Sequence, residues 1–418
     1  MNVEIVNTGS ELMLGRVLNT HQQWLCRRLA DLGHVVTRQV AVADTGTEIQ
    51  AAVREALSRA DLIITTGGLG PTSDDLTREL IAELLGKKLV KNPAVQAHIE
   101  NFFAKRGRPR PQKTDVETFV PEGAEVFLNA TGTAPGLAME ISDPKSEIRN
   151  PKWLVMLPGP PRELRPMFDA SVVPLLKREF AGEIFVCRTL LTTGIGESRV
   201  QEMVEADLQP LVRRGLEIGY CARPGAVDVR LVAGGATAEK LVGEAEVVVQ
   251  RILGENIFGR DDEELEQVVV KLLAQQKKTL ALAESCTGGL IASRITDVPG
   301  ASEVFLGGVV GYANAAKEKF LGVRAKTLKQ HGAVSGAVAQ EMALGVREKF
   351  GSDFALAVTG IAGPGGGTAE KPVGTVFIAL ASAAGVEVKV FLNAWDRATF
   401  KQVTATQALD WLRRAVSA

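Results

Sequence analysis

Three side chains able to act as nucleophiles, Ser285, Cys286 and Thr287, follow one another in LALAESCTGGLIASRI. They stand between an apolar run that reads as a strand and a Gly-Gly pair that opens a helix-like run. A serine at such a junction can be exposed, and the N–H groups of Thr287, Gly288 or Gly289 could hold an oxyanion beside it. Its hydroxyl needs a base. The histidine of this region, His331 in LKQHGAVSG, is turn-like and has no visible carboxylate partner, and there is no G-x-S-x-G elbow. The other base on offer is a lysine. In GVVGYANAAKEKF, Lys317 follows an apolar strand, where partial desolvation would lower its pKa from about 10.4 toward neutrality. On an exposed helix face the same residue would be an ordinary solvated lysine. Tyr312 and Asn314, from the same turn, could relay a proton or orient substrate.

A second glycine-rich stretch, AVTGIAGPGGGTAEKPVGTV (357 to 376), has an apolar strand on each side. That reads as a shaped ligand loop, with Thr359 the natural hydrogen-bonding group at the strand's end. Near the N-terminus, TTGGLGPTSDDLTRE (65 to 79) also follows a strand and leads into a helix. Gly67, Gly68 and Gly70 let backbone N–H groups approach an anion, and the helix behind them presents its positive end. The loop lacks the Lys-Ser/Thr of a Walker A motif and the spacing of G-x-G-x-x-G. Asp74 and Asp75 offer hard oxygen ligands for a divalent cation that bridges to phosphate, or else cap the following helix. At the carboxyl end of a parallel strand, a phosphate and metal site is the reading favoured here. A Ser-x-x-Lys spacing at Ser142 and Lys145 sits in ISDPKSEIRNPKW, where Pro144 and polar neighbours indicate a surface loop, so it reads as coincidence.

The elements that must position these residues alternate. VEIVNTG, HVVTRQVAV, DLIITTGG and LVMLPGPPREL read as strands. Between them lie helices over THQQWLCRRLADLG, with Leu25, Leu29 and Leu32 on one face and Gly33 as its stop, and over TEIQAAVREALSRA, with Ile49, Val53 and Leu57 on one face. Such alternation implies right-handed βαβ crossovers and a parallel sheet over residues 1–170. Residues 181–260 read as β-α-β-β-α, with a helix from Glu197 to Arg214 and another from Ala238 to Leu253. This is a small α+β unit resembling KH-type domains. Its GIGE at Gly194 is not placed like the clamp of RNA-binding modules, so it reads as a connecting or dimerising unit. Residues 264–418 form a further α/β domain, without clear repetition of the first.

Composition agrees with several domains. A chain of 418 residues exceeds what one core usually serves, and 45% hydrophobic and 23% charged residues with a net charge of -1 describe an ordinary globular protein. There is no basic excess, so no nucleic-acid partner is expected. Cys26, Cys187, Cys221 and Cys286 form no C-x-x-C and the histidines no H-E-x-x-H, so the cysteines read as reduced, semi-buried filler and no zinc site is expected. MNVEIVNTGSE is not a signal peptide and no apolar run spans a membrane, so a cytoplasmic protein is expected.

Taken in order, TGGLGPTSDDLT, NATGTAPG, LPGPPREL, AESCTGGL, YANAAK and TGIAGPGGGTAEKPVGTV closely resemble the CinA family, named for competence and damage inducibility, over essentially the whole chain. The resemblance implies an N-terminal domain similar to molybdopterin-binding proteins, a KH-like middle, and a C-terminal domain that hydrolyses the carboxamide of nicotinamide mononucleotide (NMN) to nicotinic acid mononucleotide and ammonia without a cofactor, usually in a homodimer. Motif by motif, it implies Ser285 as nucleophile, Lys317 as its base, and Tyr312, Asn314, Thr359, Gly360 and Arg397 as supporting or substrate-binding positions beside Thr287, Gly288 and Gly289. Cys286 is then a neighbour of the nucleophile. The first domain resembles family members that hydrolyse ADP-ribose to AMP and ribose 5-phosphate with a divalent cation such as magnesium, manganese or cobalt. Gly67, Gly68, Gly70, Asp74 and Asp75 fall on its phosphate loop, and Asp44 in VAVADTGTEI matches an acidic position after the second strand. His21 stands where the family commonly has asparagine. Two rival readings remain open at this point: an interaction protein of competence, and a molybdenum-cofactor nucleotidyl transferase carried by the first domain.

Overall fold

The computed structural model describes residues 1–141, 152–180 and 185–417, so the Ser142 and Lys145 pair lies outside the described residues. The chain divides into two compact units, Met1–Cys187 with Gly234–Ala238, and Arg188–Ala233 with Glu239–Ala418.

The first unit is built from β1 (Val3–Thr8), β2 (Val36–Val42), β3 (Leu62–Thr66), β4 (Leu89–Lys91), β5 (Phe119–Pro121), β6 (Glu125–Phe127), β7 (Gly136–Ile141) and β8 (Lys152–Leu157). Its main sheet has the order β2-β1-β3-β8-β7-β6, while β4 and β5 form a separate pair. Strands β2, β1, β3 and β8 are parallel, and β7 and β6 continue antiparallel. Every residue of β1 and β3 is buried, as expected for strands with helices on both faces. The helix Thr20–Asp31 buries Leu25 and Leu29 against one face of the sheet. On the other, Gly46–Leu57 buries Ile49, Val53 and Ala56, and Leu57 lies half-buried at its end. The register pairs Asn7 with Thr66 and Thr66 with Leu157, so the loops after β1, β3 and β8 leave the sheet side by side.

The middle of the chain forms β9 (Phe185–Thr193), β10 (Glu217–Arg223), β11 (Ala226–Gly234) and β12 (Ile257–Arg260) in the order β10-β11-β9-β12. Two helices, Glu197–Val212 and Ala238–Leu253, complete it. The order read from sequence stops one strand short: β12 is four residues long and pairs antiparallel with β9 at the edge, too brief to show a pattern of its own. Gly194 lies between β9 and the helix Glu197–Val212, not between two helices.

The C-terminal sheet contains β13 (Leu280–Glu284), β14 (Phe305–Val310), β15 (Phe354–Gly360), β16 (Thr375–Ser382) and β17 (Gly385–Leu392), ordered β14-β13-β15-β16-β17. The first three are parallel and the last two antiparallel. Alternation along β13 divides its side chains between two cores. Leu280 and Leu282 join the core under the helices Leu265–Gln275 and Arg397–Ser417, and Ala281 and Ala283 join the one under Gly336–Phe350. The second face is lined by small residues, Ala281, Ala283, Ala355, Ala357, Ala379 and Ala381, which lets that helix lie close to the sheet. His331 ends the helix Ala325–His331 and is not in a turn as the sequence suggested. The cysteines also divide more sharply than expected: Cys286 is buried, Cys221 is exposed, and only Cys26 and Cys187 are half-buried. Among the described residues, no helix is long and apolar enough to cross a membrane.

Candidate active site

Strand β13 has β14 on one side and β15 on the other, so the chain reverses its direction of sheet growth there, and the carboxyl ends of these strands frame a crevice. Glu284 pairs with Val310 and with Val358, which puts Ser285 between Gly311 and Thr359. Two main-chain bonds fix it: Ser285 N–H donates to the Val358 carbonyl at 3.0 Å, and Gly311 N–H donates to the Glu284 carbonyl at 2.8 Å. Alternation then sends Glu284 toward the helix Leu290–Thr296 and Ser285 to the other side.

On that side Lys317, in the helix Asn314–Leu321, is only 1% exposed. Its Nζ lies 3.0 Å from Ser285 Oγ, 2.7 Å from the Gly311 carbonyl and 3.1 Å from the Tyr312 carbonyl. Among the described residues no carboxylate pairs with it, and burial lowers its pKa below the ordinary lysine value. As an ammonium, Nζ donates to all three oxygens; once neutral, it can keep the two N–H bonds to the carbonyls and turn its lone pair to the serine hydroxyl. Gly311 makes room for the stem, since a Cβ there would stand 2.9 Å from Leu321 and 3.5 Å from Lys317 Cγ.

Burial in the core under the helices Leu265–Gln275 and Arg397–Ser417 pushes the Cys286 thiol up to about 12, so it stays protonated and is a poor nucleophile. Thr287 is fully buried and its hydroxyl has no hydrogen-bond partner among the described residues. The amides of Gly288 and Gly289 are engaged within the protein, the first donating to the Ser285 carbonyl at 3.1 Å and the second to Glu284 at 3.0 Å. Glu284 also accepts from the amides of Ile291 and Ala292, at 3.1 and 2.8 Å, and so satisfies the start of the following helix. Sequence reading missed this residue. The signal was available: one acid ending an otherwise apolar strand, just before a helix start.

Tyr312 acts twice, its carbonyl on Lys317 and its exposed phenol oxygen accepting from Arg397 at 2.6 Å. Arg397 also donates to the Gly363 carbonyl at 3.0 Å, which ties it to the second glycine loop. The Thr359 hydroxyl donates to Ala333 at 2.9 Å and so holds the chain before the helix Gly336–Phe350. Gly360 ends β15, where a Cβ would stand 2.8 Å from the Thr375 carbonyl. Asn314 is exposed at the start of its helix.

In the first unit, the loops after β1, β3 and β8 line a cavity of about 490 Å³ with Gly67, Gly68, Gly70, Asp44, Asp74 and Asp75 on its wall. Gly68 has φ +67°, and a Cβ there would collide with the Thr77 side chain. Asp44 accepts from Ser10 N–H at 2.7 Å, and Asp75 accepts from the amide of Thr72 at 2.9 Å and from its hydroxyl. Asp74 is exposed. Among the described residues no three His, Cys, Asp or Glu side chains stand close enough to hold a metal ion by themselves. Carboxylates that share the cavity with the glycine loop could hold a magnesium-like cation only if it took most of its ligands from water and phosphate. Glu117, unread in the sequence, is fully buried on the same wall. One of its oxygens accepts from Thr133 at 3.0 Å, the other has no partner among the described residues, and burial raises its carboxyl to about 7.

Comparison with known proteins matches three successive segments of the chain. Residues 4–178 match the family model described as "Probable molybdopterin binding domain", residues 187–259 the "Damage-inducible protein CinA KH domain", and residues 262–416 the "CinA C-terminal domain". A CinA-like protein of Akkermansia muciniphila is 44% identical over 413 residues, 99% of this chain and 97% of that protein. A relative from Acetivibrio thermocellus, also named for competence and damage inducibility, is 44% identical over 419 residues, 100% of this chain and 99% of its own. Among solved structures, the competence/damage inducible protein CihA of Agrobacterium tumefaciens is 40% identical, with coverage of 37% of this chain and 94% of that chain and a TM-score of 0.36. Identity at this level along its whole length means that the chain belongs to the CinA family.

Proposed function

We propose that the C-terminal domain hydrolyses the carboxamide of NMN to nicotinic acid mononucleotide and ammonia, with Ser285 as nucleophile and Lys317 as its base. The contact of 3.0 Å between Lys317 Nζ and Ser285 Oγ, in a pocket that disfavours the ammonium form, is the observation that carries the reading. Neutral Lys317 takes the hydroxyl proton as Ser285 Oγ adds to the amide carbon. Collapse of the tetrahedral adduct breaks the C–N bond, and the same proton passes to the departing nitrogen, which leaves as ammonia. Water then adds to the acyl-enzyme with Lys317 again taking a proton, and Ser285 departs with that proton restored. With the Gly288 and Gly289 amides engaged, the unpartnered Thr287 hydroxyl is a donor for the developing oxyanion. No step needs a metal. Ammonia release from NMN by the full chain, compared with Ser285→Ala, tests this reading.

The N-terminal cavity favours a second activity, hydrolysis of ADP-ribose to AMP and ribose 5-phosphate. The glycine loop would take the pyrophosphate, and Asp44 and Asp74 would hold a divalent cation, which supplies charge neutralisation at the phosphates. AMP production from ADP-ribose supports this reading, whereas adenylylation of a pterin by the same protein would replace it with the nucleotidyl transferase. We propose that the chain acts as a homodimer, as the family resemblance implies.

A further inference from the structure

Strand β17 closes one edge of the C-terminal sheet, and among the described residues no strand pairs with its outer side. Its main chain divides by parity. Ser382 and Gly385 pair across a hairpin of two residues, Ala383 and Ala384, so they exchange both hydrogen bonds of a narrow pair. The register carries this pattern to Glu387, Lys389 and Phe391, whose N–H and C=O groups point inward at β16. Just beyond the strand, Asn393 keeps the parity, its N–H donating to the Gly374 carbonyl at 2.8 Å. The main-chain groups of Val386, Val388, Val390 and Leu392 therefore point outward from the edge. β17 is eight residues long and has neither proline nor a register shift to blunt that edge.

The side chains follow the same parity. Val388, Val390 and Leu392 are 36%, 61% and 62% exposed, an uncovered apolar strip. Val388 reaches the start of the helix Gly336–Phe350, within 3.5 Å of where a Cβ on Gly336 would stand. The opposite face carries one charge of each sign. Lys389 Nζ is held over the Trp411 ring, 4.4 Å from its centroid, and Glu387 has no ion-pair partner among the described residues.

We propose that β17 is a docking edge for a second copy of this chain, paired antiparallel with the partner's β17 about a two-fold axis at Val388. Main-chain bonding and charge together select this register. Outward groups must meet outward groups, which excludes an axis between adjacent residues. An axis at Lys389 sets lysine against lysine, and one at Glu387 sets glutamate against glutamate. An axis at Val386 or Val390 leaves Glu387 opposite Gly385 or Lys389 opposite Phe391, with no opposite charge across the seam. With the axis at Val388, Glu387 faces the partner's Lys389 twice, in the pair type whose Cα atoms come closest, about 4.5 Å apart. Val388 then meets its own copy, and Val386 meets the partner's Val390, so the valine strip runs on across the seam. The sheet's other edge, β14, reads FLGGVV and has no charge with which to select a register. The docking edge is independent of either proposed activity.

The experiment is disulfide trapping in the full chain, with Cys221→Ser as background because Cys221 is exposed. Val388→Cys places two thiols opposite each other at the axis, with Cα atoms about 5.5 Å apart, within the reach of a disulfide. Val390→Cys is the more exposed position, yet in this register it lies about four residues from its own copy, too far to bridge. Mild oxidation should therefore link Val388→Cys into dimers on a non-reducing gel and leave Val390→Cys unlinked. Linking of Val390→Cys as readily as Val388→Cys, or of neither, overturns the assignment. Sedimentation equilibrium at low salt tests the charges, with circular dichroism to show that each variant is folded. Lys389→Glu should raise the dimer Kd about tenfold. The exchange variant Glu387→Lys/Lys389→Glu should recover most of that loss. A monomeric wild type, or failure of the exchange to recover what Lys389→Glu loses, also overturns it.

Discussion

Glu284 and Ser285, consecutive at the end of β13, leave the sheet on opposite sides, one to the amides of Ile291 and Ala292 and the other to Lys317. The pleat makes this division of labour. The acid stabilises the helix start from one face, and the hydroxyl meets a buried amine on the other, where no acid among the described residues pairs with that amine. A carboxylate beside Lys317 would hold it charged and remove its use as a base.

Replacing Glu284 with alanine leaves three amides without their acceptor. The expected cost is about 3 kcal/mol, in the range for charge-assisted bonds lost from a buried site, and Glu284→Gln, whose amide oxygen still accepts, should lose less. Urea unfolding of the full chain checks this; equal stability of Glu284→Ala and wild type would show that the amides find other partners.

Lys317 also has a pH signature. Because its pKa in the fold is lowered by burial, kcat/KM for deamidation should rise with pH through a midpoint below the ordinary lysine value of about 10.4. Stability follows with the same sign. The unfolded chain binds more protons between the lowered pKa and about 10.4, so stability should rise with pH across that window and be lowest below it. In Lys317→Met both the activity and this slope should disappear. A kcat/KM profile flat in this range would contradict a lysine base.

Cys286 should resist alkylation. A thiol raised to about 12 is thiolate at pH 8 to about one part in ten thousand, and it is buried, whereas Cys221 is exposed. Iodoacetamide followed by peptide mass mapping should label Cys221 in the native protein and Cys286 only after unfolding. Rapid native labelling of Cys286, with loss of activity, would point to the thiol as nucleophile.

Glu117 gives the first unit an opposite pH trend. Its carboxyl is raised to about 7, so the folded state holds the proton more tightly than the unfolded chain, and stability should fall as pH rises from about 4.5 through about 7. Glu117→Gln should be the more stable protein at pH 8 and nearly level with wild type at pH 5, as read by urea unfolding. A wild-type advantage at pH 8 would mean that the ionised carboxylate is held by a stabilising contact.

Much of this architecture was legible because it depends on periodicity. The alternating strands and helices and the glycine turns follow from local patterns, whereas the residues alone leave the base of Ser285 open and its pairing with Lys317 is implied by the family resemblance. What the sequence hid depends on register and burial. Glu284 differs from an exposed acid only because its neighbours on both strands bury it, and Glu117 comes from a 3-10 turn with no period of its own. The amides of Gly288 and Gly289 looked available for an oxyanion until the turn's hydrogen bonds were known. Strand β12, four residues long, gains its identity from pairing with β9.

Ammonia release from NMN by the purified full chain in the presence of EDTA, measured for wild type and Ser285→Ala, tests the central claim most directly. The account predicts metal-independent release by the wild type and a loss of at least roughly a thousandfold in the variant, with its fold unchanged. Release by Ser285→Ala at a rate near that of wild type, or none from well-folded wild-type protein, would contradict it.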